Sequence, residues 1–183
     1  QLQAQINPHF LYNSFFVLSR RVKRRDYEGA EQFATLLGKY FRFLTRNGTD
    51  FVELSQEVEH ARCYSDIQGT RFRQRMRMEF GELPENYRTM KVPRLILQPL
   101  LENSFRNGFK KAFPWQLFLE VYTTSDLWYV KLIDNGVGMD VAALEKIRGK
   151  IAQIKKESTR LIIEELKIGG LSIPNICMRL FLL

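Results

Sequence analysis

Apolar residues recur along this chain at helical and at alternating spacings, and the switches between the two divide it into elements. From Leu2 to about Arg25 the residues Leu2, Ile6, His9, Asn13 and Phe16 follow a four-three alternation, with Phe10 and Val17 alongside, which predicts the seam of a packed helix. Asp26-Tyr27-Glu28-Gly29 reads as a turn. A second helix carries Ala30, Phe33, Leu37, Tyr40 and Leu44 on one side and ends in Arg46-Asn47-Gly48-Thr49. A hairpin of two such helices cannot bury its own apolar face, so pairing with a second copy into a four-helix bundle is expected.

Asn47-Gly48-Thr49-Asp50 breaks the helical pattern and reads as a linker before a fresh start at Ser55. From Ser55 to about Thr70, Val58, Ala61, Tyr64 (or Cys63) and Ile67 mark a third helix. Met76, Met78 and Phe80 then alternate with Arg75, Arg77 and Glu79 as a half-buried strand, and Glu82-Leu83-Pro84-Glu85-Asn86 is a loop. The stretch from Val92 to Gly108 reads as a helix with one buried face, ending in the polar set Glu102, Asn103, Arg106 and Asn107. Gln116 to Tyr122 and Leu127 to Ile133 alternate as an antiparallel pair around Thr123-Thr124-Ser125-Asp126, and Met139 to about Glu165 is a polar helix. The class is α+β, with a sheet covered by helices on one face.

Composition narrows this picture only slightly. A chain of 183 residues with 45% hydrophobic and 26% charged residues folds around a real core. The net charge of +8 favours an anionic partner, but Arg20-Arg21-Val22-Lys23-Arg24-Arg25 and Arg71, Arg73, Arg75 and Arg77 are equally expected of solvated faces. No recognition-helix motif or aromatic-basic pattern points to nucleic acid. Cys63 and Cys177 have neither metal-ligand nor disulfide-framework spacing, which fits a reduced, cytoplasmic setting. No apolar run approaches the roughly 18 residues that span a bilayer. The chain starts at Gln1 and stops in Arg179-Leu180-Phe181-Leu182-Leu183, inside an expected helix, so a fragment of a longer protein is expected.

Candidate chemistry gathers at the polar end of the Val92–Gly108 stretch and at two glycine-bearing segments. In Lys131-Leu132-Ile133-Asp134-Asn135-Gly136-Val137-Gly138 an apolar strand runs into an acidic residue at its end, where a carboxylate can face a cleft. Read alone, Asn135-Gly136 is equally a hairpin turn. Gly169-Gly170-Leu171-Ser172-Ile173-Pro174-Asn175 opens a helix with unpaired backbone N–H groups and a proline at its first turn, an arrangement that binds anions.

Taken together and in this order, these segments resemble the GHKL ATP-binding fold. Leu97-Gln98-Pro99-Leu100-Leu101-Glu102-Asn103 is similar to its N-box, Asp134-Asn135-Gly136-Val137-Gly138 to its first glycine box, and Gly170-Leu171-Ser172-Ile173-Pro174-Asn175 to its second. Gln3-Ala4-Gln5-Ile6-Asn7-Pro8-His9-Phe10-Leu11-Tyr12-Asn13 resembles the phosphoacceptor box of LytS/YesM-type sensor histidine kinases, and Tyr64-Ser65-Asp66-Ile67-Gln68 and Arg71-Phe72 extend the likeness.

The resemblance implies a dimerisation and phosphotransfer hairpin over residues 1–48. A GHKL-type ATP-binding domain follows over 51–183, incomplete at its C-terminus and built as a two-layer α/β sandwich with a mixed, mainly antiparallel sheet. It implies ATP and magnesium as cofactors, a homodimer, a membrane-anchored parent with this portion in the cytoplasm, and transfer of phosphoryl from His9 to a response-regulator aspartate. Asp134 would accept from the adenine amine, with Gly136 and Gly138 letting the backbone approach the purine where a Cβ would clash. Asn103 would offer an amide oxygen to magnesium, and Arg106 and Asn107, on the same face, would meet phosphate together with Gly170, Ser172 and Asn175. Glu102 would either order water or metal or be a solvated helix residue, and Arg179 is a phosphate contact or an exposed arginine.

Three departures from the family pattern stand out. Arg106 and Asn107 replace the usual Lys and His, Ser172 replaces a Gly, and Phe10 follows His9 where many other histidine kinases carry an acid. Gln5 and Asn13 flank His9 one turn away as candidates to orient its ring. A nucleotide-binding scaffold without phosphotransfer is the alternative these departures permit.

Overall fold

A computed structural model describes residues 8–45, 50–72, 75–109, 114–123 and 128–156. The first helix, α1, spans Pro8–Lys23, its proline in the first turn where a missing N–H costs nothing. The next helix, α2, spans Tyr27–Thr45 and begins earlier than the sequence pattern indicated. Asp26 is its cap, accepting the Gly29 N–H at 3.1 Å and an Arg21 guanidinium N–H at 2.7 Å, while Arg25 takes the left-handed φ of 60° that reverses the chain. Asp26-Tyr27-Glu28-Gly29 is thus a cap and first helical turn.

The expected seam of α1 is displaced by one position. Phe10 and Ser14 are buried and Val17 half-buried, whereas His9 and Phe16 are exposed. The cause is tertiary: Phe10 packs on Tyr40 of α2 and on Tyr64, with ring centroids 4.8 and 5.4 Å apart. The α2 row of Ala30, Phe33, Leu37, Tyr40 and Leu44 is buried as predicted, but a third helix, α3, Leu54–Arg71, contributes to its cover within one chain. What stays in solvent is the opposite side of α1, with Tyr12 73%, Phe15 57% and Phe16 67% exposed.

α3 follows a short strand, β1, Phe51–Glu53, which the sequence pattern did not reveal. Its cap is Glu53 rather than Ser55, with the Gln56 side chain accepting the Glu53 N–H at 3.3 Å. β1 pairs antiparallel with β3, Lys91–Pro93, Val52 opposite Val92. The front of the expected Val92–Gly108 helix is therefore strand and turn. Pro93 disfavours helix before it, and Leu95 has φ 63°, outside right-handed helix altogether. Helix α4 runs only over Gln98–Asn103, with Pro99 in its first turn, and passes into a π-helical turn over Ser104–Gly108.

The main sheet has the order β2-β4-β5, with β2 Met76–Phe80, β4 Trp115–Thr123 and β5 Trp128–Asp134. β2 and β4 are parallel, so the chain between them must cross over, and α4 lies in that crossover. β4 and β5 are antiparallel, as the alternation predicted. Leu117, Leu119 and Val121 face the core and pair with Asp134, Leu132 and Val130. The other face carries the stacked Tyr122 and Tyr129 and the Glu120–Lys131 ion pair at 3.3 Å. The last described helix, α5, Val141–Lys156, is capped by Asp140, whose carboxylate accepts the Ala143 N–H at 2.7 Å. The chain is thus α+β with a mixed sheet.

Candidate functional site

α4 is aimed by a carboxylate from another helix. Glu57 of α3 is fully buried and accepts the backbone N–H groups of Leu95, Ile96 (3.0 Å) and Leu97 (3.2 Å). Three successive N–H groups turned toward one anion require the unusual backbone at Leu95 and neutralise much of the cost of burying the charge. The helix that bears the polar set starts directly after this clasp.

Gln98, at the start of α4, is saturated by partners on three helices. Its side-chain nitrogen donates to the Tyr40 hydroxyl at 2.9 Å and to Glu102 Oε1 at 2.6 Å, and its oxygen faces His60 Nε2 at 2.7 Å. The amide orientation follows from Glu102, since the reverse would set an amide oxygen against a carboxylate. His60 must then carry its proton on Nε2, leaving Nδ1 as a lone pair, and Nδ1 has no partner among the described residues. Burial lowers the His60 pKa to about 4.

Glu102 is half-buried and hydrogen-bonded to Gln98. Burial raises its pKa, while the Gln98 hydrogen bond and the Arg106 charge oppose the rise. Burial and the neighbouring Glu102 charge hold the Tyr40 and Tyr64 hydroxyls far above the usual phenol range.

Asp134 continues the inward row of Val130 and Leu132 at period two, so its carboxylate ends the core face of β5, opposite Leu117. Its Oδ2 accepts from the Ser104 hydroxyl at 2.6 Å, and its Oδ1 from the Gly136 N–H at 2.9 Å. Ser104 is 2% exposed and stands on the helical row of Leu97 and Leu101, so its hydroxyl needs a partner inside the fold. This bond joins the end of α4 to the end of β5.

Gly138 has φ 72°, and a Cβ built there would meet no atom of the described residues beyond its chain neighbours within 4 Å. Backbone conformation, rather than crowding within the protein, calls for glycine there. Asn103 is half-buried and Arg106 exposed. Because residues 104–108 form a π turn, with the Phe109 N–H donating to the Ser104 carbonyl at 3.0 Å, Arg106 is turned further from Asn103 than α-helical spacing implied. The Asn107 side chain lies outside the described residues, as do Gly170, Ser172, Asn175 and Arg179.

His9 is exposed near the start of α1. Asn13 donates to the His9 backbone carbonyl at 2.6 Å, so this contact is to backbone and not to the ring, and Gln5 lies outside the described residues. An open cleft of about 400 Å³ lies elsewhere, between the distal half of α1 and the end of α3, lined by Asn13, Phe16, Arg20, Arg24 and Arg71 among others.

Comparison with known proteins bears on this geometry. Residues 1–76 match the family described as histidine kinase, a span that takes in α1, α2, β1 and α3. The chain is 30% identical over 152 residues to the sensor histidine kinase BtsS of Escherichia coli, covering 76% of this chain and 27% of that protein. It is 31% identical over 160 residues to the sensor protein LytS of Bacillus cereus, covering 86% of this chain and 27% of that one. The chain belongs to the LytS-type sensor histidine kinases. It spans about a quarter of the length of these curated relatives.

For a sensor histidine kinase of this type, sequence reasoning selected Asp134 and Glu102 but missed Glu57, His60 and Ser104 and gave Gln98 no role. Ser104 was discoverable: a hydroxyl on the row of Leu97 and Leu101, and an acid on the row of Val130 and Leu132, each ask for a buried partner. Glu57 and His60 left no such trace, because α3 is buried on more than one side and its polar residues look solvated in a helical projection.

Proposed function

We propose that this chain is the kinase core of a two-component sensor, which takes a phosphoryl group from ATP onto His9 and passes it to an aspartate of a response-regulator receiver domain. The observation that carries this reading is the Ser104–Asp134 bond, which brings the segments resembling the N-box and first glycine box together across 30 residues of sequence. The donor set fits the groups such a site holds. A carboxylate has about four acceptor positions, so Asp134 keeps capacity for an adenine amine beyond Ser104 and Gly136. Asn103 presents an uncharged amide, suited to a magnesium ion that takes its remaining ligands from phosphate and water.

ATP with magnesium supplies the phosphoryl group and neutralises the charge on its oxygens. The chain's own residues do the rest. Asp134 orients the base, Arg106 at the exposed end of the π turn offers a cation to phosphate, and Glu102 orders water beside Asn103. A lone pair of the His9 imidazole forms the N–P bond as the P–O bond to the β-phosphate breaks and ADP leaves, and the ring releases its other proton to solvent, to which His9 is exposed. The phosphohistidine then reacts with the receiver carboxylate. Tyr12, Phe15 and Phe16, exposed beside His9, form the face through which two copies join as a four-helix bundle, and the ATP-binding part is a two-layer sandwich. The intact sensor is membrane-anchored, with this portion in the cytoplasm; no described helix is itself long and apolar enough to cross a membrane.

Incubation of this chain, and of a longer one extended at both ends, with γ-labelled ATP and magnesium tests the reading. Acid-labile, alkali-stable label is expected, and both His9→Gln and Asp134→Asn are expected to abolish it. ATP binding without label in the extended protein would replace the kinase reading with that of a nucleotide-binding scaffold.

A further inference from the structure

We infer that Gln98 is a positioning residue, whose amide, held by Tyr40 of α2 and His60 of α3, fixes the Glu102 carboxylate at the candidate nucleotide site. The inference rests on the proposed role of Glu102. Its geometry, however, stands on its own. One amide hydrogen goes to the Tyr40 hydroxyl and the other to Glu102 Oε1, while the amide oxygen takes the His60 Nε2–H, so no torsion of Gln98 is left free. All three contacts are side chain to side chain, and two of them reach across 38 and 58 residues of sequence.

The anchors are themselves immobilised. His60 is stacked on Tyr40 and Phe43, with centroids 5.0 and 4.1 Å away. Tyr40 packs on Phe10, the residue next to His9, at 4.8 Å. The same amide thus sits between the helix that carries His9 and the carboxylate at the candidate nucleotide site. Glu102 also faces charges or hydroxyls from three elements, Arg106 of the π turn, Tyr40 of α2 and Tyr64 of α3. Among the described residues it is Gln98 that holds it by a hydrogen bond, at 2.6 Å.

The test uses Gln98→Met, which keeps length and volume without the amide, and Tyr40→Phe, which removes only one anchor of that amide. The mobility of the Glu102 carboxyl is measured by carbon-13 NMR relaxation at pH 7.5 in each protein, and His9 labelling by ATP is compared with that of Glu102→Gln and of the Gln98→Met, Glu102→Gln double variant. Gln98→Met is expected to raise that mobility, because the carboxylate loses the donor that holds it, and Tyr40→Phe to raise it less. The labelling rate is expected to fall roughly tenfold to a hundredfold in Gln98→Met at unchanged KM for ATP, the range for losing a partner that orients a functional side chain. The double variant should label no more slowly than Glu102→Gln alone, since Gln98 acts through Glu102.

Unchanged Glu102 mobility in both variants overturns the inference, whatever the kinase activity. If the mobility rises while Glu102→Gln labels at the wild-type rate, positioning by Gln98 stands and the proposed role of Glu102 falls. If Gln98→Met does not fold, Tyr40→Phe decides on the mobility alone.

Discussion

His60 makes the stability of this chain depend on pH in a direction the structure determines. The ring is 3% exposed, stacked on Phe43 and Tyr40, and donates from Nε2 to Gln98. Burial lowers its pKa from 6.5 to about 4. Between these values the unfolded chain binds a proton that the folded chain refuses. The His60 contribution is therefore fully present above pH 6.5 and is lost as pH falls through 6.5 toward 4. At about 1.36 kcal/mol per unit the complete loss is about 3 kcal/mol, and about 2 kcal/mol of it is gone by pH 5.

Glu102 opposes this trend. Its raised pKa means the folded chain holds a proton more readily than the unfolded one, so its contribution improves as pH falls. The two are separated by comparing wild type with His60→Phe, which keeps an aromatic ring in the stack and cannot titrate. Loss of the bond to Gln98 costs the variant about 1–3 kcal/mol at every pH. Urea unfolding at pH 7.5 and pH 5 is the assay, with equal slopes required of both proteins. The advantage of wild type over the variant should shrink by about 2 kcal/mol between the two. A constant advantage would refute the claim that His60 stays neutral in the fold.

Three further outcomes are expected. Glu57→Gln replaces one of the two oxygens that receive the N–H groups of Leu95, Ile96 and Leu97 with a donor, so unfolding in urea should show a loss of about 2–4 kcal/mol; a loss under about 1 kcal/mol would mean the clasp is not what holds the start of α4. Gly138→Ala meets no atom of the other described residues within 4 Å but must keep φ near 72°, so melting should report about 1–2 kcal/mol of destabilisation, and calorimetry weakened binding of ATP. Phe16→Glu, at a position 67% exposed on α1, should leave the helical circular dichroism unchanged and turn a dimer into a monomer in sedimentation; an unaltered dimer would place the interface elsewhere.

The sequence by itself determined the elements whose burial follows a local period. The row of α2 from Ala30 to Leu44, the strands β2, β4 and β5, and the α+β class were all legible, because each element buries one face and hydrophobicity reports it. Asp134 and Glu102 were selected from the polar residues that end apolar rows and from a family resemblance. Tertiary structure alone decided which partner each face meets. It displaced the α1 seam by one position, because Phe10 is drawn between Tyr40 and Tyr64. It turned Val92 into strand, because β1 was there to pair with it. Most of all, it decided the buried polar set. Glu57, His60 and Gln98 look like solvated helix positions when read locally. A charge, a ring nitrogen or an amide can be buried only when partners meet it, and here those partners lie 38 to 58 residues away in the chain.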